Sequence, residues 1–300
     1  MPSRQMGLVS SWRLLRKEKG WWKPLVVLAL VGWIPVLGQT AVLGYAYEWA
    51  RLSAWGLDRA PKRHGVDYSK LLTSGGICFL VMLTMRVAIG AICRVLFGFT
   101  DSNGWMPMGM VLGFGSMLRC GMLRDANDVV GSLVEILLGS FVMCAMMQAT
   151  VYDSFKAGWR VDRLFQMIGR DPKGFLKLYV SVVMASLVVW SYWLLCALLL
   201  TSLVFWLGAM ALLSSASYFS DITSMVTLMA RIGALPLLAC SVVVLAMLFL
   251  GAVIANAMQL VSINVAGQWF RRFDVARWGV SSAPLPDGVP IHSPDGAGDQ

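Results

Sequence analysis

The sequence predicts an all-α polytopic transmembrane fold with about four full spans, an N-terminal helical hairpin or kinked span, and interfacial amphipathic helices. Three observations lead there. Hydrophobic residues fill 58% of the 300 positions and charged residues 14%, and the mean hydropathy is +0.68, well outside the usage of soluble domains. The charges are also segregated: between Arg94 and Arg119 only Asp101 is charged, between Glu135 and Asp153 nothing is, and Leu178 to Ser220 carries no charge at all. Uninterrupted apolar runs of about 20 residues are membrane spans. Third, the basic residues behind the net charge of +9 sit beside those runs. There they act as topology signals and contacts to anionic lipid headgroups, so no nucleic-acid role is expected.

Residues 1–23 read as a basic amphipathic surface helix. Leu8, Trp12 and Leu15 recur at helical spacing while Arg13, Arg16, Lys17 and Lys19 fill the other faces. Trp21 and Trp22 form an interfacial anchor, and Lys23-Pro24 puts proline in a first helical turn, where its missing N–H is harmless. The basic lead-in and Gly38-x-Thr40 imitate a cleavable signal. Apolar character resumes at once in Ala41 to Tyr47, however, so the segment is expected to be retained.

The transmembrane domain is expected over residues 24–270. Its first apolar segment, Pro24 to Tyr47, is interrupted at Pro35 and Gly38, which mark either a kink or the tip of a hairpin. Basic residues precede the segment and others follow it, among them Arg51, Arg59 and Lys62. A hairpin keeps both sets on one side, as the positive-inside rule prefers; a kinked span does not. Asp67 is placed to cap a span from about Lys70 to Phe99, and Trp105 to Leu123, with Gly109 and Gly113, reads as a shallow or re-entrant outer segment. Val129 to Val151 is the next span.

The most basic loop follows, with Lys156, Arg160, Arg163, Arg170, Lys173 and Lys177. Val161, Leu164, Phe165 and Ile168 form an apolar stripe within it, an interfacial helix. Asp171-Pro172 supplies an N-cap and a first-turn proline for the next helix. The uncharged stretch from Leu178 could hold two spans; one span over Leu178 to Leu200 with a partly buried outer segment keeps the basic tail inside. The last span covers Gly233 to Ile263. Residues 271–300 are a basic and then polar tail, Ser281 to Gln300 lacking apolar content, expected to be disordered. The expected location is a bacterial cytoplasmic membrane, multi-pass, with both termini cytoplasmic.

Three stretches together resemble an uncharacterised family of bacterial membrane proteins, the domain of unknown function numbered four thousand and thirteen. They are Ile34-Pro35-Val36-Leu37 with Leu43-Gly44-Tyr45, then Phe155-Lys156-Ala157-Gly158-Trp159 through Asp171-Pro172-Lys173-Gly174-Phe175, then Asn264-Val265-Ala266-Gly267-Gln268-Trp269. The chain departs from that pattern in a longer apolar stretch after Leu200 and in the polar loop from Leu57 to Lys70. The resemblance implies a helical membrane domain and no activity.

No nucleophile elbow, P-loop, dinucleotide or zinc-protease motif occurs. The six cysteines, Cys78, Cys93, Cys120, Cys144, Cys196 and Cys240, fall in apolar stretches, and His64 and His292 stand alone in polar loops. Hence no catalytic residues, metal site or cofactor are proposed. Two constellations remain. Arg86 and Arg94 in one span with Glu135 in the next make an intramembrane ion-pair set, because an unpaired charge at that depth costs roughly 2.5–3.5 kcal/mol. Asn256, Gln259, Asn264 and Gln268 cover about half the circumference of the last helix, a polar face for interhelical hydrogen bonds, a partner seam or a permeation path. Of these, Asn256 and Gln259 are expected to matter more than Gln268. The leading expectation is a non-enzymatic accessory or scaffold protein that contacts lipids and a membrane protein partner; the alternative is a small transporter or channel-like permease.

Overall fold

The computed structural model describes residues 6–62, 65–97, 126–214 and 234–273. Along them run α1 (Leu8–Leu15), α2 (Trp22–Val31), α3 (Leu37–Ala54), α4 (Tyr68–Phe97), α5 (Ala126–Val151), α6 (Phe155–Gly158), α7 (Val161–Arg170), α8 (Pro172–Ser214), α9 (Ala234–Phe270) and a 3₁₀ turn, Arg271–Phe273. Among the described residues four segments are long and apolar enough to cross a membrane: Tyr68–Ala91, Leu133–Val151, Pro172–Ser202 and Cys240–Phe273. The protein is all-α and polytopic. The outer segment with Gly109 and Gly113, the histidines and the tail beyond Phe273 lie outside the described residues.

Two helix starts follow the capping chemistry in the sequence. Asp67 Oδ1 accepts the Ser69 and Lys70 amides at 3.1 and 3.2 Å, so α4 opens at Tyr68. Asp171 Oδ1 accepts the Gly174 amide at 2.9 Å, with Pro172 in the first turn of α8.

α2 and α3 form a hairpin, not a kinked span. A straight helix would hold residues 32 and 42 about 15 Å apart, yet a Cβ on Gly32 would lie 3.9 Å from Val42 Cγ2, and one on Gly38 would collide with the Val31 carbonyl. The chain reverses where Pro35 lacks an N–H to continue a helix. There the Leu37 amide donates to Pro35 O at 2.7 Å around Val36, whose φ of 62° and ψ of −63° make a γ-turn that β-branched residues rarely adopt. Trp33, Ile34, Val36 and Leu37 leave this tip apolar and exposed.

α3 is the centre of the bundle. Val42 to Tyr47, Trp49 to Arg51, Ser53 and Ala54 are all buried. Small residues allow this: Gly44 and Gly75 let α3 and α4 cross so closely that a Cβ on either would collide with the other helix's backbone, and Gly267 does the same for α9 against Ala50. Close backbone approach is how helices associate in lipid, where tails are as apolar as leucine. α4 and α5 run antiparallel, Cys78 meeting Thr150 with Sγ and Oγ1 3.0 Å apart. The long α8 and α9 are antiparallel too: the Tyr192 hydroxyl donates to Met247 O at 2.7 Å, while Phe175 meets Trp269 with ring centroids 5.7 Å apart.

α8 corrects one expectation. The apolar stretch after Leu200 is no separate outer segment but a continuation of the same helix to Ser214, 43 residues in all, or about 65 Å. Neither a charge nor a proline interrupts it, and the Thr201 and Ser202 hydroxyls turn back onto the Ala197 and Leu199 carbonyls at 2.8 Å, so neither hydroxyl competes for the outside. The final helix is likewise longer than expected, ending at Phe270 and not at Ile263.

Candidate functional site

One end of the bundle gathers polar groups from distant segments of the chain. α1 is docked there, with Ser11 and Leu15 buried. Ser11 lies on the apolar stripe of α1, three residues from Leu8 and four from Leu15, so helical spacing carries it into the packing with them. Its hydroxyl donates to Asn264 Oδ1 at 3.0 Å. Asn264 Nδ2 donates to Ser53 Oγ on α3 at 2.7 Å. Gln268, one turn on, donates to Ser11 Oγ at 2.9 Å and to Asn264 Oδ1 at 3.1 Å, and accepts from Ser10 Oγ at 3.0 Å. α1, α3 and α9 are thus tied by one closed network, in which each member satisfies another in a low-dielectric setting.

A second cluster centres on Arg51, 3% exposed. Its guanidinium lies 3.6 Å from Glu48 Oε2, one turn away on α3, and 3.6 Å from Asp153 Oδ2 just past α5. Glu48 Oε1 also accepts the Ser74 hydroxyl of α4 at 2.8 Å. Asp153 holds its carboxylate inward from a left-handed backbone, φ 48°, which aspartate tolerates better than most residues. A buried arginine between two carboxylates keeps a charge that would be prohibitive alone.

The rim of the same end is held by exposed pairs. Arg272 Nη1 meets Asp171 Oδ2 at 2.8 Å and Arg271 Nη1 meets Asp58 Oδ1 at 3.3 Å. Partial burial works against ionisation of Asp171, but hydrogen bonds from Arg272 and the Gly174 amide outweigh it and hold the carboxyl below its ordinary value. Beside it Trp269 is fully buried among Phe175, Phe270 and Phe273, with centroids 5.2 to 5.7 Å away. Of the interfacial tryptophans, Trp21 stacks edge-on against Trp12 at 5.5 Å with Arg16 over its ring at 5.7 Å; Trp22 is exposed.

The sequence-derived candidates divide. Asn264 and Gln268 enter the serine network, whereas Asn256 and Gln259, deeper along α9, are half-buried and stand outside it. Within the amide face the partnered members are thus the two near the basic end, because the hydroxyls able to satisfy buried amides are supplied there by α1 and α3. Arg86 on α4 is attracted electrostatically by Glu135 on α5 and by Tyr47 on α3, and its Nε is buried with no hydrogen-bond partner among the described residues. The Arg94 side chain lies outside the described residues. Pro35 and Gly38 shape the hairpin tip. Ser10, Ser11, Ser53, Glu48 and Asp153 are not among the sequence-derived candidates, and Arg51 enters there only as a base flanking the first apolar segment. Two signals were present: a serine inside an apolar stripe, and a Glu-x-x-Arg pair in an alanine-rich helix.

Fold and site define a polytopic α-helical membrane protein whose basic end is locked by buried polar contacts. A family model described as Protein of unknown function (DUF4013) matches residues 27–200, more than half of the chain, and the chain belongs to that family. The match stops short of Asn264 to Trp269, the third stretch on which the resemblance rested. No curated protein and no solved structure matches the chain.

Proposed function

We propose that this chain is a non-enzymatic accessory or scaffold protein of a bacterial cytoplasmic membrane, with both termini cytoplasmic, acting through lipids and a membrane protein partner. The observation that carries this reading is that two sets of polar side chains buried among the helices are joined internally. Asn264, Ser11 and Ser53 form one such set, and Glu48, Arg51 and Asp153 the other. Groups so engaged hold helices in register; groups that bind a passing solute must be free to exchange partners. The basic residues beside the spans favour a cytoplasmic placement of that end.

One feature favours the permease alternative: Arg86 Nε and Gln148 Oε1 are buried with no hydrogen-bond partner among the described residues, and intramembrane polar groups commonly mark solute paths. Reconstitution separates the two. Purified protein in sealed vesicles should pass neither small anions nor cations above the protein-free rate, and cross-linking in native membranes should capture a membrane protein at fixed stoichiometry. A flux abolished by Arg86→Gln would overturn the scaffold reading.

A further inference from the structure

We infer that the elbow formed by α6, α7 and the start of α8 is a docking surface for anionic phospholipid headgroups of the bilayer that holds the bundle. This rests on the membrane placement proposed above and names the lipid chemistry it selects. Leu164 and Met167 of α7 are buried, so that face is committed to the bundle. Phe165, one residue round the helix, is 63% exposed, and its ring centroid lies 5.5 Å from that of Phe141. Phe141 belongs to the Leu133–Val151 span, so this contact sets α7 at the flank of a membrane-crossing helix and not out in solvent.

Helical geometry distributes the rest. At about 100° per residue, the exposed Arg170 falls roughly 140° from Phe165, on the opposite side of the buried stripe, whereas Arg163 is half-buried near Tyr152. An aromatic side turned along the span and a basic side turned away from it is the arrangement of a helix at a headgroup boundary. The flanks repeat it: Phe155 and Trp159 are exposed aromatics, and Lys156, Arg160, Lys173 and Lys177 are exposed bases around them. Of the two carboxylates in this stretch, Asp171 is taken by Arg272, leaving Asp162 as the counterweight. Such a surface is complementary to phosphate diesters carrying net negative charge, and indifferent to phosphocholine, whose own ammonium cancels it.

Full-length protein in mild detergent, titrated with phosphatidylglycerol or phosphatidylcholine and read by native mass spectrometry, tests this. Wild type should retain phosphatidylglycerol in clear preference. The variant K156Q/R160Q/K173Q should lose that preference by roughly tenfold or more, since each base near a lipid surface contributes about a fivefold factor. Its elution profile and melting point should match wild type, the three positions being exposed. Inorganic phosphate at millimolar concentration should not displace the lipid. Equal retention of both lipids by wild type, unchanged preference in the variant, displacement by phosphate, or loss from the variant of an acidic protein partner with lipid retention intact would each overturn the assignment. Vesicle flux would instead sink the scaffold reading and leave the lipid surface standing.

Discussion

The Ser11 hydroxyl donates to Asn264 Oδ1 at 3.0 Å across 253 residues of sequence, and both residues are fully buried. Through this bond the N-terminal helix is a built-in part of the bundle, held against the last transmembrane helix. Asn264→Leu removes contacts to Ser11, Ser53 and Gln268 together. At about 0.6 kcal/mol for an interhelical hydrogen bond, the loss should be roughly 2 kcal/mol, and larger than for Asn256→Leu or Gln259→Leu. Thermal melting in one detergent across the three variants checks the order. In a double-mutant cycle, Ser11→Ala and Asn264→Ala should be non-additive; full additivity would mean the two do not touch.

Arg51 has two carboxylates, so losing one should be survivable and losing both should not. Glu48→Gln and Asp153→Asn are each expected to lower stability modestly. Asparagine is chosen at 153 because it tolerates the left-handed backbone there. Combined, the two should cost more than their sum, approaching the roughly 3–5 kcal/mol of a stranded buried charge. Adding Arg51→Met should recover part of the loss. Melting points that merely add, with no recovery, would place Arg51 in contact with water.

Gly75 and Gly76 are neighbours with opposite surroundings. A Cβ at Gly75 would collide with the Thr40 carbonyl and crowd the Gly44 amide, whereas one at Gly76 would meet nothing within 4 Å. Gly75→Ala should therefore force α3 and α4 apart and destabilise the protein by about 3 kcal/mol, the upper end for overpacking. Gly76→Ala should leave it unchanged or gain about 0.5–1 kcal/mol from helix propensity. Folded yield by fluorescence-detected size exclusion reads both, and equal yields would refute the crossing.

Membrane orientation can be read with single cysteines in a background lacking the native six. Substitutions at Val9, Lys62, Gln166 and Ser293 should resist an impermeant maleimide in intact cells and label after permeabilisation. Trp33→Cys, at the hairpin tip, should resist in both conditions, shielded by hydrocarbon. Labelling of Lys62→Cys but not Val9→Cys in intact cells would put the ends of the hairpin on opposite sides.

Asp171 gives a pH test. Its folded-state carboxyl titrates below the ordinary value of 3.8, so its contribution is fully present above that pH and is lost as pH falls through the folded value. The wild-type melting point should drop below about pH 4 by more than that of Asp171→Asn, which lacks the titrating group. High salt should shrink the difference, because the Arg272 pair is exposed. Parallel melting curves for the two proteins down to pH 3 would remove Asp171 from the acid response.

The class of the protein and much of its outline are legible in the residues alone. Uncharged runs imposed the long helices, Asp67 and Asp171 marked two of their starts, and Pro35 marked the reversal, because hydrophobic length, capping and the missing proline N–H all act within a few residues. Which helix is central depends on how the helices pack. Hydropathy favours α8 and α9, yet Leu194, Leu195 and Leu198 of α8 are more than half exposed, while Ala46, Ala50 and Arg51 of the less apolar α3 are buried. The reason is the solvent: lipid accepts leucine as readily as a protein interior does, so apolarity does not drive a helix inward. What draws α3 to the middle is close backbone approach at small residues and polar groups that only other helices can satisfy. For the same reason Ser11, Ser53 and Asp153, unremarked in their own stretches, became part of the site only when the fold brought Asn264 and Arg51 to them.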